Sequence, residues 1–436
     1  MTPEIREISA RTIFSLAFPA LGVLAAMPLY LLLDTAVIGR LGSAELAALA
    51  AGTTVQSTVT TQLTFLSYGT TARSSRLYGQ GQRDKAIAEG VQATWVGLSV
   101  GLILATIVWV FAYPIALGLT GEPDTAERSA AWLHVSAFAI PLTLIVMAGN
   151  GWLRGIQNTK WPLYFTLAGV VPGAVAIPIF VDMWGLVGSA AANVLGVTIT
   201  ASCFLVALRR QHRGSWRPKW AVMKRQLVLG RDLILRSLSF QVAFISAAAV
   251  AARVSVVALA AHQIMLQLWN FITLVLDSLA IAAQTLTGSA LGSGNTDNAR
   301  KVGQKVTLYS MIFSLGLAAV FGIGAGAIQG IFTSEQAVLE QMQTPWWLLL
   351  IMIVLGGVVF ALDGVLLGAS DAVFLRNLTI LSVLLGFLPG VWISHLVGGG
   401  LTGIWIGLLS FILIRFVGVI LRFKSMAWAT TELVES

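Results

Sequence analysis

Residues 28–42 read PLYLLLDTAVIGRLG, and a single carboxylate, Asp34, sits at the end of a long apolar run. From Thr12 to Leu33 there is no charged residue. About 20 consecutive apolar residues suffice to cross a bilayer as a helix. A charge at the bilayer centre costs about 2.5–3.5 kcal/mol on insertion scales. Asp34 precedes Arg40 by six residues, or roughly 9 Å of helix rise. It therefore sits below the headgroups without reaching the midplane. An aspartate there is neutral, paired or in a wet cavity.

Similar runs recur along the whole chain. Hydrophobic residues make up 57% of it and charged residues 11%, against about 25% charged in soluble domains. Mean hydropathy is +0.84. Strand alternation of the outer-membrane barrel kind is absent. The chain reads as an all-α polytopic membrane protein. Glu4, Arg6, Glu7 and Arg11 precede the first run, with no small-residue cleavage site after it. The first span is therefore expected to be retained. A single cysteine, Cys203, excludes an internal disulfide and a cysteine metal site. The net charge of +8 fits cations held in cytoplasmic loops, not nucleic-acid binding.

Twelve spans are expected, near 12–39, 46–78, 88–118, 130–152, 161–181, 185–208, 228–250, 257–290, 303–331, 345–368, 374–396 and 400–421. With a cytoplasmic N-terminus, 24 of the 27 Lys and Arg fall on the cytoplasmic side, Arg236 and Arg415 among them. Arg40, Arg128 and Arg253 fall outside. That asymmetry puts both termini inside.

An internal repeat organises the spans. YGQGQRDKA (78–86) matches LGSGNTDNA (291–299) at Gly79/Gly292, Gly81/Gly294, Asp84/Asp297 and Ala86/Ala299, an offset of 213. The same offset aligns Arg40 with Arg253, Glu122 with Glu335, Gly151 with Gly364 and Gly155 with Gly368. The expected division is an N-terminal six-helix lobe (1–208), a basic linker (209–227) and a C-terminal six-helix lobe (228–436). An even number of spans per half makes the halves parallel. Such repeats relate by an axis along the membrane normal, with the ligand path, here a central cavity, between them.

Three aspartates fall inside spans: Asp34, Asp277 and Asp363. Each is read either as a helix-packing hydrogen bond or as a proton-binding carboxyl. Desolvation disfavours the charged form of a carboxyl, so such a group can load a proton on one side and release it on the other. The repeat pairs Asp34 with Ala247, Asp277 with Thr64 and Asp363 with Asn150, so the acids are not duplicated. Pro19 and Pro28 each remove a backbone donor from the first helix and mark a bend or hinge.

Tyr30, Phe65, Trp152 and Trp269 are candidate cavity aromatics. Gln56, Asn150, Gln267 and His262 are candidate polar lining, with a packing role the alternative for His262. GSALGSG (288–294) lacks nucleotide-loop spacing and reads as a tight turn. His134, His212 and His395 form no metal constellation, and no nucleophile–base motif appears.

PLYLLLDTAVIGRLGSAELAALAAG resembles the first-helix signature of the multidrug and toxic compound extrusion (MATE) transporters. It is most similar to their DNA-damage-inducible-protein-F branch. GWLRGIQNTKWP (151–162), AAHQI (260–264), LDSLAIAAQTLTGSALGSGN (276–295) and LDGVLLGAS (362–370) fit that branch too. The resemblance implies a two-lobe antiporter of amphipathic, often cationic drugs or toxins. It would act as a monomer in the cytoplasmic membrane of a prokaryote, with no cofactor and no nucleic-acid partner. It places the family's coupling aspartate on Asp34, its tenth-helix acid on Asp363 and a polar position on Asn150. Many relatives carry Asn and Asp a turn apart in helix 5, helping to build a sodium site. Registering on GSAA (188–191) puts Val171 and Val175 there, which favours proton over sodium coupling. A lipid-linked oligosaccharide flippase of the same superfamily is the alternative. It wants a basic cavity, and the intramembrane charges read as acidic. An intramembrane enzyme is the weaker alternative.

Overall fold

A computed structural model describes residues 8–431, and the regular structure among them is helical, without strands. The first half contains α1 (Ala10–Gly39), α2 (Ser43–Gln62), α3 (Phe65–Gly79), α4 (Arg83–Val110), α5 (Ala112–Thr120), α6 (Pro123–Ser136), α7 (Ala139–Gly155), α8 (Lys160–Trp184) and α9 (Leu186–Gln211). The second contains α10 (Trp220–Val254), α11 (Val256–Gly292), α12 (Thr296–Ile323), α13 (Ala325–Phe332), α14 (Gln336–Gly368), α15 (Ala372–Ser382), α16 (Leu388–Val397) and α17 (Gly400–Ser425). A π-helical turn, Val383–Phe387, joins α15 to α16.

Among the described residues ten helices are long and apolar enough to cross a membrane, counting Ala372–Val397 as one, and α6 with α7, bent by 47°, pass the same test as a pair. The expected span 46–78 is the exception. It divides at Leu63–Thr64 into α2 and α3. The stretch TTVQSTVTTQ (53–62) is rich in hydroxyl and amide groups, which lowers its hydropathy.

The repeat holds at the level of single backbone angles. Three pairs of positive-φ residues lie 213 apart: Gly81 (φ 77) with Gly294 (φ 78), Gln157 (φ 63) with Ser370 (φ 61), and Gly185 (φ 66) with Gly398 (φ 70), the last pair sharing φ but not ψ, −140° against 30°. The hydrogen bonds match as well. After α7, Asn158 N donates to Leu153 O at 2.9 Å; after α14, Asp371 N donates to Leu366 O at 2.9 Å. Both are six-to-one closures around a left-handed residue, which satisfy carbonyls left open at a helix C-terminus. The turn in GSALGSG is confined to Ser293–Asn295, because α11 continues through Gly292.

Two compact units result, but their borders differ from the expected 1–208, 209–227 and 228–436. One unit is Phe18–Gly230; the other begins at Arg231 and also includes the chain up to Ala17. Contacts explain both shifts. Lys305 Nζ donates to Ile8 O at 2.8 Å, and Phe14 packs edge-on against Tyr309. The basic linker stays with the first unit because Gln92 on α4 bonds its backbone twice. α1 leaves one unit and enters the other between Ala17 and Phe18, beside Pro19, whose missing N–H loosens that turn.

Candidate functional site

In the first unit α8 and α9 cross closely. Gly169 and Gly173 meet Gly196: a Cβ built on Gly169 would lie 2.3 Å from Gly196 O. Small residues four apart allow this approach of backbones in a membrane. The crossing turns one face of α9 (Ser189, Asn193, Gly196, Thr200) toward α1.

Between α1, α2, α7, α8 and α9 lies a cavity of about 330 Å³. Its single carboxylate is Asp34, 2% exposed. Val23, Leu24, Met27, Leu31 and Met147 form apolar wall, and Thr53, Gln56, Ser57 and Thr60 form a polar stripe along α2. Ser189 Oγ lies 2.6 and 2.7 Å from the two Asp34 oxygens. Its one hydrogen serves one oxygen at a time. Ser189 in turn accepts from Trp132 Nε1 at 3.3 Å, so Trp132, Ser189 and Asp34 form a chain. Ser189 belongs to the first turn of α9, where the helix dipole is positive. Tyr30 sits one turn before Asp34. Its hydroxyl, Asn150 Oδ1 and Thr166 Oγ1 are buried without a hydrogen-bond partner among the described residues. Buried polar groups are nearly always bonded, so these three atoms are ready for water or a bound molecule. Ser136 Oγ bonds Gln56 Oε1 at the cavity edge.

The cavity thus gathers Asp34, Tyr30, Gln56 and Asn150, but not every residue expected there. Trp152 is enclosed with Ile87, Val91, Phe204 and Leu208, because Gly90 leaves a gap its ring fills. Phe65 fills the space over Gly230 instead. Gln267, His262 and Trp269 belong to the other unit. Gln267 there is exposed, His262 is buried edge-on to Trp405, and Trp269 packs on Phe360. Pro28 faces out of the unit and Pro19 is half-buried.

Helix 5 of the sequence reading, α8, needs a correction of register. Val171 and Val175 are 55% and 61% exposed, so they face away from Asp34. The residues of α8 that line the cavity are Thr166 and Val170. α8 therefore offers one hydroxyl and no carboxylate or amide. Ser189 and Trp132 were missed as site residues. In the sequence Ser189 stands out only as part of the GSAA landmark, and Trp132 is one of 14 tryptophans with no local pattern around it. The α2 stripe carried a usable signal: positions 53, 56, 57 and 60 have helical three-and-four spacing.

The second unit treats its acid differently. Asp363 on α14 accepts from Arg236 of α10 at 2.6 Å and from Arg415 of α17, both on Oδ2. Phe240 lies under both guanidiniums, 5.4 and 4.9 Å from its centroid. Asp277 on α11 is within electrostatic reach of Arg415. The charge asymmetry of the sequence places Arg236 and Arg415 with the cytoplasmic cations. They are instead drawn into the unit's interior, with side chains 15% and 4% exposed, because Asp363 neutralises them and Phe240 covers them. The intramembrane charges are therefore not purely acidic.

Comparison with known proteins agrees with this construction. The MatE family model matches the chain twice, at residues 19–179 and 233–392, one match per repeat. The chloroplastic Protein DETOXIFICATION 44 of Arabidopsis thaliana is 31% identical over 99% of this chain and 86% of its own length. DNA damage-inducible protein F of Escherichia coli is 26% identical over 85% of this chain and 83% of its own. A crystal structure of a MATE protein in a bent conformation superposes with TM-score 0.89 at 19% identity, covering 95% of this chain and 96% of that one. An outward-facing multidrug resistance MATE transporter gives 0.86 at 20% identity, covering 96% of each. With the repeat, the fold and both matches in register, this chain belongs to the MATE family of membrane transporters.

Proposed function

We propose that this transporter is a proton-coupled efflux antiporter for amphipathic, cationic compounds, with Asp34 as the coupling group. The observation that carries the reading is the sole carboxylate of the first-unit cavity. It is buried and held by one hydroxyl, with no cation lining the cavity. An apolar wall suits the hydrophobic part of a drug, and the α2 stripe offers neutral hydrogen-bonding groups. A proton and a cationic substrate compete for the same carboxylate: protonation removes the charge that holds the cation. α1 carries Asp34 and both prolines, so it is the element through which loading at Asp34 acts. Exchange of one proton for one monovalent cation is electroneutral, so the pH difference drives it, at about 1.4 kcal/mol, or roughly tenfold accumulation, per pH unit. The names of relatives support the substrate class: one, from Yersinia pseudotuberculosis, is called multidrug resistance protein MdtK.

Proton coupling is favoured over sodium because α8 brings one hydroxyl, Thr166, and no second carboxylate to the cavity, which leaves Asp34 as the one charged group in its lining. A lipid-linked oligosaccharide flippase would need cations for its pyrophosphate, and the cavity lining has none. The two buried arginines of the other unit are already paired with Asp363. The test is drug uptake into everted vesicles driven by a pH gradient, at several sodium concentrations. Wild-type protein is expected to respond to the proton gradient alone, and Asp34→Asn to abolish the response. Undiminished proton-driven uptake by Asp34→Asn would sink the assignment, and uptake requiring sodium would replace the proton.

A further inference from the structure

The segment between α9 and α10 is built in a way that efflux does not require. From Arg209 to Arg225 the chain carries seven cations and no Asp or Glu. A basic loop of this kind would ordinarily hang free. Here α4 holds its backbone. Gln92, 4% exposed, donates to Arg217 O at 3.1 Å and accepts from Lys219 N at 2.7 Å. One turn along, Trp95 Nε1 donates to Trp216 O at 2.8 Å. His212 bonds Ser215 O at 3.0 Å and packs edge-on against Trp216. At the far end Gln226 donates to Glu89 at 2.8 Å, and Glu89 is already paired with Arg73.

The backbone is thus fixed while the side chains stay out. Arg209, Arg210, Arg213, Arg217, Lys219 and Lys224 are all exposed. Among the described residues none of the six is ion-paired. Trp216 and Trp220 are 42% and 66% exposed on the same segment. Exposed Trp beside Lys and Arg at a span's end is the composition of a membrane–water interface. Clustered cations next to a span attract anionic headgroups.

We propose that this strap, residues 209–225, is a preorganised binding site for anionic phospholipid headgroups of the adjoining leaflet. Its cations take the phosphates, and Trp216 and Trp220 enter the headgroup layer. Fixing the backbone beforehand removes the ordering cost that a floppy polybasic segment meets on binding. The reading is independent of the transported substrate and of the coupling ion.

The test uses the full-length protein in neutral detergent, titrated with phosphatidylglycerol, phosphatidylcholine or soluble glycerol phosphate while thermal melting is followed. Phosphatidylglycerol is expected to raise the melting temperature saturably, and the other two are not. Affinity should fall as sodium chloride is raised from about 50 to about 500 mM, since screening shortens the reach of exposed charges. Replacing Arg213, Arg217 and Lys219 by Gln should weaken apparent affinity at least about tenfold, since each cation near a charged membrane surface contributes roughly fivefold. Gln92→Leu keeps every cation and frees the strap, and should weaken binding severalfold. Wild-type affinity that ignores salt overturns the proposal without any substitution. So does a triple variant that binds as wild type, or glycerol phosphate acting as well as the lipid. Unchanged binding by Gln92→Leu overturns the preorganised mount.

Discussion

Asp34 and Asp363 are both buried aspartates in apolar helices, yet their surroundings differ. Asp34 has one neutral donor, Ser189, whereas Asp363 has two guanidiniums. The consequences of neutralising them differ accordingly. Asp34→Asn leaves no unpaired charge behind, and its melting temperature should stay within a few degrees of wild type while coupling is lost. Asp363→Asn strips the carboxylate from two buried cations, and breaking such a pair typically costs about 3–5 kcal/mol. A marked drop in melting temperature in detergent is expected, so lost transport in that variant reports folding before mechanism. An Asp363→Asn protein as stable as wild type would show that the arginines find another partner. At Ser189 the expectation is finer. Ser189→Ala removes the Asp34 donor and the Trp132 acceptor together, and proton-driven uptake should fall severalfold. Ser189→Thr keeps the hydroxyl and should retain most of it. Equal activity in the two variants would remove Ser189 from the coupling chain.

Among elements, the repeat gives a controlled comparison. α7 and α14 both end in a left-handed residue that is not glycine, Gln157 and Ser370. A left-handed backbone costs an L-residue roughly 1–2 kcal/mol, and glycine avoids most of it. Gln157→Gly and Ser370→Gly should therefore each stabilise the protein by about 1 kcal/mol, seen as a small rise in melting temperature. A fall at either site would mean the side chain holds the turn. The corresponding ends of α3 and α11 already carry glycine, at Gly81 and Gly294. The broken crossing α2–α3 shows the opposite trade. Its hydroxyls lower hydropathy, and they supply the cavity's polar stripe instead.

For the whole molecule, parallel halves make a prediction about sidedness. In a chain whose only cysteine, Cys203, is replaced by serine, cysteines at Asp84 and Asp297 should react with an impermeant reagent from one side of the membrane. Cysteines at Glu122 and Glu335 should react from the other. All four positions are exposed and form two repeat pairs 213 apart. Labelling of Asp84→Cys and Asp297→Cys from opposite sides would make the repeat inverted and would contradict the even number of spans per half.

The fold was legible in the residues themselves. Apolar run length dictates spans, because no unpaired backbone survives in hydrocarbon. A fixed offset dictates the repeat, because matched glycines mark matched turns. Asp34 was legible too, since a lone charge in such a run is costly wherever the helix packs. Its partners were not. Ser189 lies 155 residues away in sequence, and no local pattern links a serine on one helix to an aspartate on another. Arg236 and Arg415 looked cytoplasmic because span edges blur by several residues. Which face each helix turns inward settled their place, and it also turned Val171 and Val175 away from the cavity. Helix rotation depends on how small residues such as Gly169, Gly173 and Gly196 let backbones approach, so it becomes readable when the helices are packed together.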